Sequence, residues 1–519
     1  MKSNRTNMQL PLRRWLAVVL SLGFGISGAF AADAGSTPDS DSDNGNSFHV
    51  GGYVRAMSSI NLQNPPETAG DDRYDVSMLR GTAELNADAK TGPLQWKAIA
   101  RVDREDETNY LYQLQQLNKK NSPGGPGSNI TSLYNYAELR EFYFDADPTD
   151  RLHLRIGKQQ VAWGETDFFH IMDVIQGYDY RWHSFLEADN DELRKPLIMA
   201  NATLAVPELN GALQVLVRPG LDPGKDIGIT YDLSGGRWAL QPHKGIDFLA
   251  PGNVSYNYHH PDGDISKTTG GVRWTGSTGD LSYSLSYVNS FNPNPIVSSA
   301  FVAPYMGVKP QGIGEFIYPE ITMYGASLSG NVDAIDAVLA AEIGYEKDAP
   351  YNVGSNFFGG QLPGWGGIMK KKNVLTSVRF DKQFKTMSYL GTSQASFFSI
   401  QLFDTWIQDY KKTDDMVDLA GFGAPAKEHT TLLTGFLVLN FMNNKVNPGL
   451  IFGKSLSSGD TFLVPNINFQ IGDHLRLGIE ADLFFANHQK LPGQVETSSY
   501  FLGNLANNDQ LMARLTYQF

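Results

Sequence analysis

The sequence predicts a closed antiparallel transmembrane β-barrel of about 18 strands, in line with the even strand numbers of bacterial barrels. Three observations carry this expectation. Apolar and polar residues alternate with period two through much of the chain. No apolar run after the N-terminal segment is long enough for a membrane-spanning helix. The last strand is amphipathic and ends on Phe519.

The N-terminus reads as a secretory signal, residues 1–31. Lys2, Arg5, Arg13 and Arg14 form a positive segment, Trp15 to Ile26 a short apolar one, and Ala29-Phe30-Ala31 a small-x-small cleavage site. The apolar stretch falls short of the roughly 20 residues a helical anchor needs. Removing the signal takes four positive charges from a chain whose formal net charge is already -13. So acidic a chain argues against nucleic acid as a partner, because phosphate binding needs clustered Lys and Arg. The absence of Cys fits an envelope protein that uses no disulfides. Residues 32–46 are rich in Asp, Ser and Gly and read as a disordered leader. They leave no room for a separate N-terminal plug domain ahead of the barrel, expected over residues 47–519.

Period-two alternation defines the strands. Leu281, Tyr283, Leu285 and Tyr287 alternate with serines. Leu475, Leu477, Ile479, Ala481 and Leu483 alternate with Arg476, Gly478, Glu480 and Asp482. Leu94, Trp96, Ala98, Ala100 and Val102 do the same against polar neighbours, with Ile99 the exception. One face suits lipid and the other must meet water. Strands of about 9–14 residues exceed the roughly 5–6 of globular sheets. Short connections (Lys90 to Pro93, Asp147 to Asp150, Pro207 to Gly211, Ser277 to Gly279, Asn443 to Lys445, Gly472-Asp473) alternate with long ones (Thr108 to Leu133, Val161 to Pro196, Phe291 to Glu320, Asp348 to Lys372, Thr405 to Glu428, Asn487 to Asn508). Short periplasmic turns and long external loops give this pattern. The bookkeeping closes at about 18 strands with Pro219 to Ser266 taken as one partly structured loop; about 16 is the alternative if the hairpin near Ser457 to Asp460 is misread.

The final strand alternates Leu511, Ala513, Leu515, Tyr517 and Phe519 with Met512, Arg514, Thr516 and Gln518. It resembles the assembly signal of bacterial outer-membrane barrels, with Leu515, Tyr517 and Phe519 as its apolar positions. The resemblance implies the outer membrane of a Gram-negative bacterium as the location. It implies the barrel-insertion machinery, the bilayer and lipopolysaccharide as partners.

The segment Arg155-Ile156-Gly157-Lys158-Gln159-Gln160-Val161-Ala162-Trp163-Gly164-Glu165-Thr166-Asp167 runs from a strand carrying Arg and Lys into a Trp-Gly turn with carboxylates. Arg155, Lys158, Gln159, Trp163, Glu165 and Asp167 are candidates for a lumen constriction or ligand contact. The plainer reading, and the preferred one, is a salt-bridged strand end and loop anchor. Together with the following DVIQGYDYR and the later YPEITMYGASLSGNVDAIDAVLAAEIGYEKDAPYN, this run resembles a proteobacterial barrel family catalogued as domain of unknown function thirteen-hundred-and-two. The family often has Asn-Pro where this chain has Gln176-Gly177. The resemblance implies traffic of hydrophobic or amphipathic molecules. As partners it implies a periplasmic lipid-carrier-like protein and a resistance-nodulation-division pump. A more distant likeness is to alginate-export barrels, although an acidic chain lacks the basic lumen a polyanion needs.

No Gly-x-Ser-x-Gly or His-Glu-x-x-His motif is present. His259-His260 with Asp262 and Asp264, and Asp189 to Glu192, read as surface loops rather than metal sites. Gly359 to Gly367 with Trp365 reads as an external tip. No cofactor, metal or catalytic set is expected. The expected function is a transport channel for hydrophobic or amphipathic small molecules, with the loop Val161 to Pro196 folded toward the lumen. The alternatives are a general or substrate-specific porin for polar solutes and, further off, an outer-membrane enzyme or adhesion protein.

Overall fold

A computed structural model describes residues 46–519 except 64–69, 165, 167–168, 182–189, 240–243, 300–312, 355–363, 419–423, 490–496, 499–501 and 507. The expected signal, with Ala29 and Ala31, and nearly all of the leader lie outside the described residues.

Eighteen antiparallel strands form the barrel. They are β1 (Ser47–Asn61), β2 (Val76–Thr91), β3 (Leu94–Glu105), β4 (Tyr136–Thr149), β5 (Leu152–Gln159), β6 (Leu197–Val206), β7 (Gly211–Arg218), β8 (Thr269–Thr278) and β9 (Leu281–Phe291). The second half comprises β10 (Glu320–Val332), β11 (Ala337–Val353), β12 (Ile368–Phe384), β13 (Ser396–Ile407), β14 (His429–Val438), β15 (Val446–Ser455), β16 (Thr461–Ile471), β17 (Leu475–Phe485) and β18 (Gln510–Gln518). Each pairs with the next, and β18 pairs with β1 from Tyr53↔Gln518 to Asn61↔Gln510. Closure leaves no unpaired edge, which is what a spanning sheet requires where water cannot satisfy the backbone. The sheet ends on its last residue: Phe519 and Gly52 exchange two backbone hydrogen bonds of 3.1 Å.

The expected alternation holds on the outer wall. Leu285, Tyr287, Leu511, Leu515, Tyr517 and Phe519 are exposed, whereas Ser284, Met512 and Thr516 between them are buried. Tyr287, Tyr324 and Tyr345, in register on three neighbouring strands, lie tilted against one another with centroids 5.3 and 6.4 Å apart, as the aromatic girdles of such barrels do. Strands run from 8 to 17 residues, a wider range than the sequence suggests. The exception, Ile99, lies beside a bulge in the neighbouring strand. Opposite it, Arg140 is an extra residue in β4, because Ile99 pairs with Glu141 and Ala100 with Leu139. This bulge sends Arg140 and Glu141, adjacent in sequence, both to buried positions.

Long connections lie at one end and short turns at the other. One turn, residues 385–395, is longer than the rest and carries a helical turn, Met387–Leu390. Helix α1 (Asn109–Asn121) sits in the second long loop. Thr108 caps it by accepting from Leu111 N (3.1 Å), and Tyr110, Leu111 and Leu114 pack on Ile130 and Tyr134. No helix among the described residues is long and apolar enough to cross a membrane.

Candidate functional site

The interior has two zones. Toward the turns the wall is polar: Asp88, Lys97, Tyr143, Asp145 and His49 line a cavity of ≈ 350 Å³. Toward the loops the inward side chains become apolar on many strands. Met57, Met199, Leu216, Val288, Met323, Phe403, Phe462, Val464, Phe484 and Met512 are all buried there. Charged and polar side chains share this level: Arg101, Asp103, Glu141 and Gln159 on β3–β5, Arg80 on β2, Arg218 on β7, Glu342 on β11, Gln401 on β13 and Asp482 on β17 are buried too.

Two external loops fill this apolar zone. The described part of L3 (residues 160–196) crosses the interior. Val161, Trp163, Ile171 and Met172 join one continuous cluster with Leu197, Met199, Leu216, Val288, Met323 and Phe403. Phe169 meets Phe403 edge-on at 5.9 Å, so L3 reaches β13, eight strands round from β5. L4 (residues 219–268) adds Trp238, packed with Phe462, Val464, Phe484, Leu502 and Leu505. The plug is therefore made of external loops, and the loop expected to fold inward does so.

The near end of L3 is fastened by polar contacts. Gln176 accepts from Val161 N and donates to Gln159 O, both at 2.8 Å, clipping the loop to the end of β5. Gly177 lies against Gly228 of L4, where a Cβ would come within 2.0 Å of its carbonyl carbon. No side chain therefore fits at position 177. Asp173 accepts from Tyr178 Oη and Arg194 Nη2, both at 2.6 Å. The bulge residue Arg140 donates to the carbonyls of Asp191 and Arg194, and Arg55 pairs with Glu192 at 2.7 Å. L4 is fastened by charge: Arg237 meets Glu105 at 2.7 Å beside Arg80, with both guanidinium groups on the Tyr134 ring.

The residues singled out in the sequence fall as follows. Arg155 pairs with Asp145 on the adjacent strand at 2.7 and 3.1 Å and lies over the Tyr143 ring at 4.2 Å. Lys158 lies in register with Phe142, whose ring is exposed on the outside, so alternation takes it off the lumen wall. Its ammonium reaches Asp226 of L4 at 3.1 Å. Gln159 is buried and donates to Met199 O at 3.0 Å. Trp163 packs on Gly271 and donates to Gln214 Oε1 at 2.8 Å. Glu165 and Asp167 lie outside the described residues. The structure thus brings Gln159 and Trp163 into the plug's footing, while Arg155 belongs to the polar zone.

Gly157 has a backbone requirement. Its φ is +137°, and a Cβ there would lie 2.3 Å from Phe142 O. Burial lowers the His170 imidazole below its ordinary value, with Asp173 opposing and Arg194 reinforcing the shift. His170 stacks on Tyr178 at 4.4 Å. Burial likewise brings Lys195 down to about 8 despite nearby Asp179. Lys195 ties the loops together by donating to Lys225 O and Thr230.

Sequence reading missed Arg55, Arg101, Arg140, Glu192 and Arg237, because nothing local marks which charged residues meet across a lumen. Glu192, read as solvated loop, is an inward ion-pair partner. His259 Nδ1 lies 3.0 Å from Asp264 in a small hairpin, and among the described residues no three metal-ligating side chains cluster.

A model of the family described as Protein of unknown function (DUF1302) matches residues 16–519. A search of curated proteins returned no match. Among solved structures, OccAB1 of Acinetobacter baumannii aligns at 9% identity and TM-score 0.48, covering 93% of this chain and 99% of that one. OpdK of Pseudomonas aeruginosa, solved with vanillate, aligns at 8% and 0.44, with coverage of 91% and 98%. OmpF of Salmonella typhi, in complex with daunomycin, aligns at 9% and 0.41, with coverage of 92% and 99%. At these scores nothing about solutes follows from the likeness.

Proposed function

Since the chain belongs to the family described as Protein of unknown function (DUF1302), a description that assigns no activity, we propose a function from the geometry of its barrel. It is an outer-membrane channel that passes hydrophobic or amphipathic small molecules through a lumen closed at rest by L3 and L4. The observation that supports this reading is the set of apolar inward side chains on the loop side, clustered on many strands among buried charged residues. An apolar side chain exposed to water forfeits about 1.5–3 kcal/mol relative to burial. A wall of them is therefore unfavourable when open to water, and is stable when covered by the plug or by apolar cargo. A diffusion pore for polar solutes has no use for such a wall, since its lumen is filled by water.

The polar zone below suits the other end of an amphipath. Cargo would leave an apolar ring and meet Lys97, Arg155 and the carboxylates of Asp88 and Asp145.

The test is entry of N-phenyl-1-naphthylamine into vesicles with a lipopolysaccharide outer leaflet, beside osmotic swelling in arabinose. The expected result is entry at least tenfold faster with the protein than without, and no arabinose swelling above empty vesicles. Rapid swelling with unchanged probe entry would replace this reading with a porin for polar solutes.

A further inference from the structure

We infer that Met172, seated in a notch made by Gly325 and Gly344, is the latch that holds L3 across the barrel, and that its release opens the lumen. The inference rests on the reading of L3 as a plug and names the contact that must break.

Gly325 and Gly344 pair in register on β10 and β11. Each lies two residues from a buried inward side chain, Met323 and Glu342, so both glycines face the interior. Two facing glycines leave a dip in the wall one side chain deep. Met172 fills its Gly325 side, where a Cβ would lie 2.3 Å from Sδ and 2.5 Å from Cε; on the Gly344 side a Cβ would lie 2.6 Å from Cε of the wall residue Met323 and 3.4 Å from Met172 Sδ. Ile171 closes the notch from beside, its Cγ2 3.1 Å from a Cβ built on Gly344. Met172 N donates to Glu342 Oε1 at 3.0 Å.

L3 is tied back to β5 by Gln176 on Val161 and Gln159 and to β4 by Arg140 on the carbonyls of Asp191 and Arg194, and Asp173, next to Met172 in the chain, is held by Arg194. At the wall of β10 and β11 the seat is an unbranched, flexible thioether and a single hydrogen bond from Met172 N to the Glu342 carboxylate. Met tolerates rearrangement better than any branched side chain. The tip of L3 is therefore the end that lets go, while the anchored end stays on β5 and β6. An apolar molecule that competes for the notch, or a partner that pulls on the loops, would act at this contact.

The experiment is potassium chloride conductance of the reconstituted barrel, with folding checked by heat-dependent gel mobility. Gly325→Val fills the notch with a residue that suits a strand. It is expected to raise the steady conductance at least tenfold over the wild type. Met172→Ala empties the Gly325 side of the notch without touching the wall, and is expected to raise the open fraction in the same direction. The chain has no Cys, so Ile171→Cys with Gly344→Cys makes a single-bridge lock. Oxidised, that variant should stay closed; reduced, it should regain wild-type openings. The latch is overturned if folded Gly325→Val and Met172→Ala both conduct as the wild type does, or if the oxidised lock still opens. Ion conductance reads the latch whatever the cargo, so a failed latch and a failed hydrophobic-cargo reading give different results.

Discussion

His170 sits within the plug, its ring stacked on Tyr178 and close to Asp173 and Arg194. Burial holds its proton affinity below the ordinary value of about 6.5. The seated loop therefore binds this proton less readily than a released loop does. Above about pH 6.5 neither state is protonated at His170 and the residue has no effect on the balance. As pH falls from there toward the lowered value, the released state gains the proton first and seating weakens. Conductance should rise on acidification from pH 8 to pH 5, and His170→Gln should flatten that rise; an equal rise in the variant would remove His170 from the account. Gly157 makes a second demand at this scale. Its positive φ and the 2.3 Å approach to Phe142 O predict that Gly157→Ala costs about 1–3 kcal/mol in urea unfolding. The glycine was visible in the sequence as part of a strand-end run. Its conformational role was not, because φ is set by how β4 and β5 meet.

Strands and loops divide differently between sequence and structure. The strands were legible because lipid on one side and the lumen on the other write period two directly into the chain, as in Leu281 to Tyr287. The bulge at Arg140 was not legible, because the sequence of β4 does not mark which residue is left unpaired by β3. The loops were legible in length and, for L3, in direction. Their contacts were not: Gln176 gives no local hint that it clips Val161 to Gln159. Replacing it with Ala leaves two buried backbone groups unpaired, at about 1–3 kcal/mol each. Gln176→Ala should therefore loosen L3 without unfolding the barrel. Limited proteolysis within L3 should speed up while the heat-dependent gel shift is unchanged; unchanged cleavage would show that the clip is dispensable. Arg155 and Lys158, adjacent in a lumen hypothesis built on sequence, separate here. Arg155→Glu should make the polar zone more cation-selective by placing a second carboxylate beside Asp145, whereas Lys158→Glu should act on loop attachment through Asp226. Equal effects on ion selectivity would contradict that division.

For the whole molecule, closure is a matter of one seam. β1 and β18 join along nine residue pairs, and the Phe519–Gly52 bonds finish it. Deleting Tyr517 to Phe519 should abolish the heat-resistant folded form, since the seam would open an unpaired edge in a place without water. The barrel class was readable from alternation and the terminal strand. The apolar interior was not, because an inward Met323 or Phe462 looks in sequence like a slip in the pattern, and only the registered sheet shows such residues gathered at one level. That level is what separates a plugged conduit for apolar molecules from a water-filled pore. Single-channel conductance of the refolded wild-type barrel in a planar bilayer tests the difference most directly. The account predicts a closed baseline with rare openings, which become frequent when an apolar solute is added. A large, steady conductance without any added solute would contradict it.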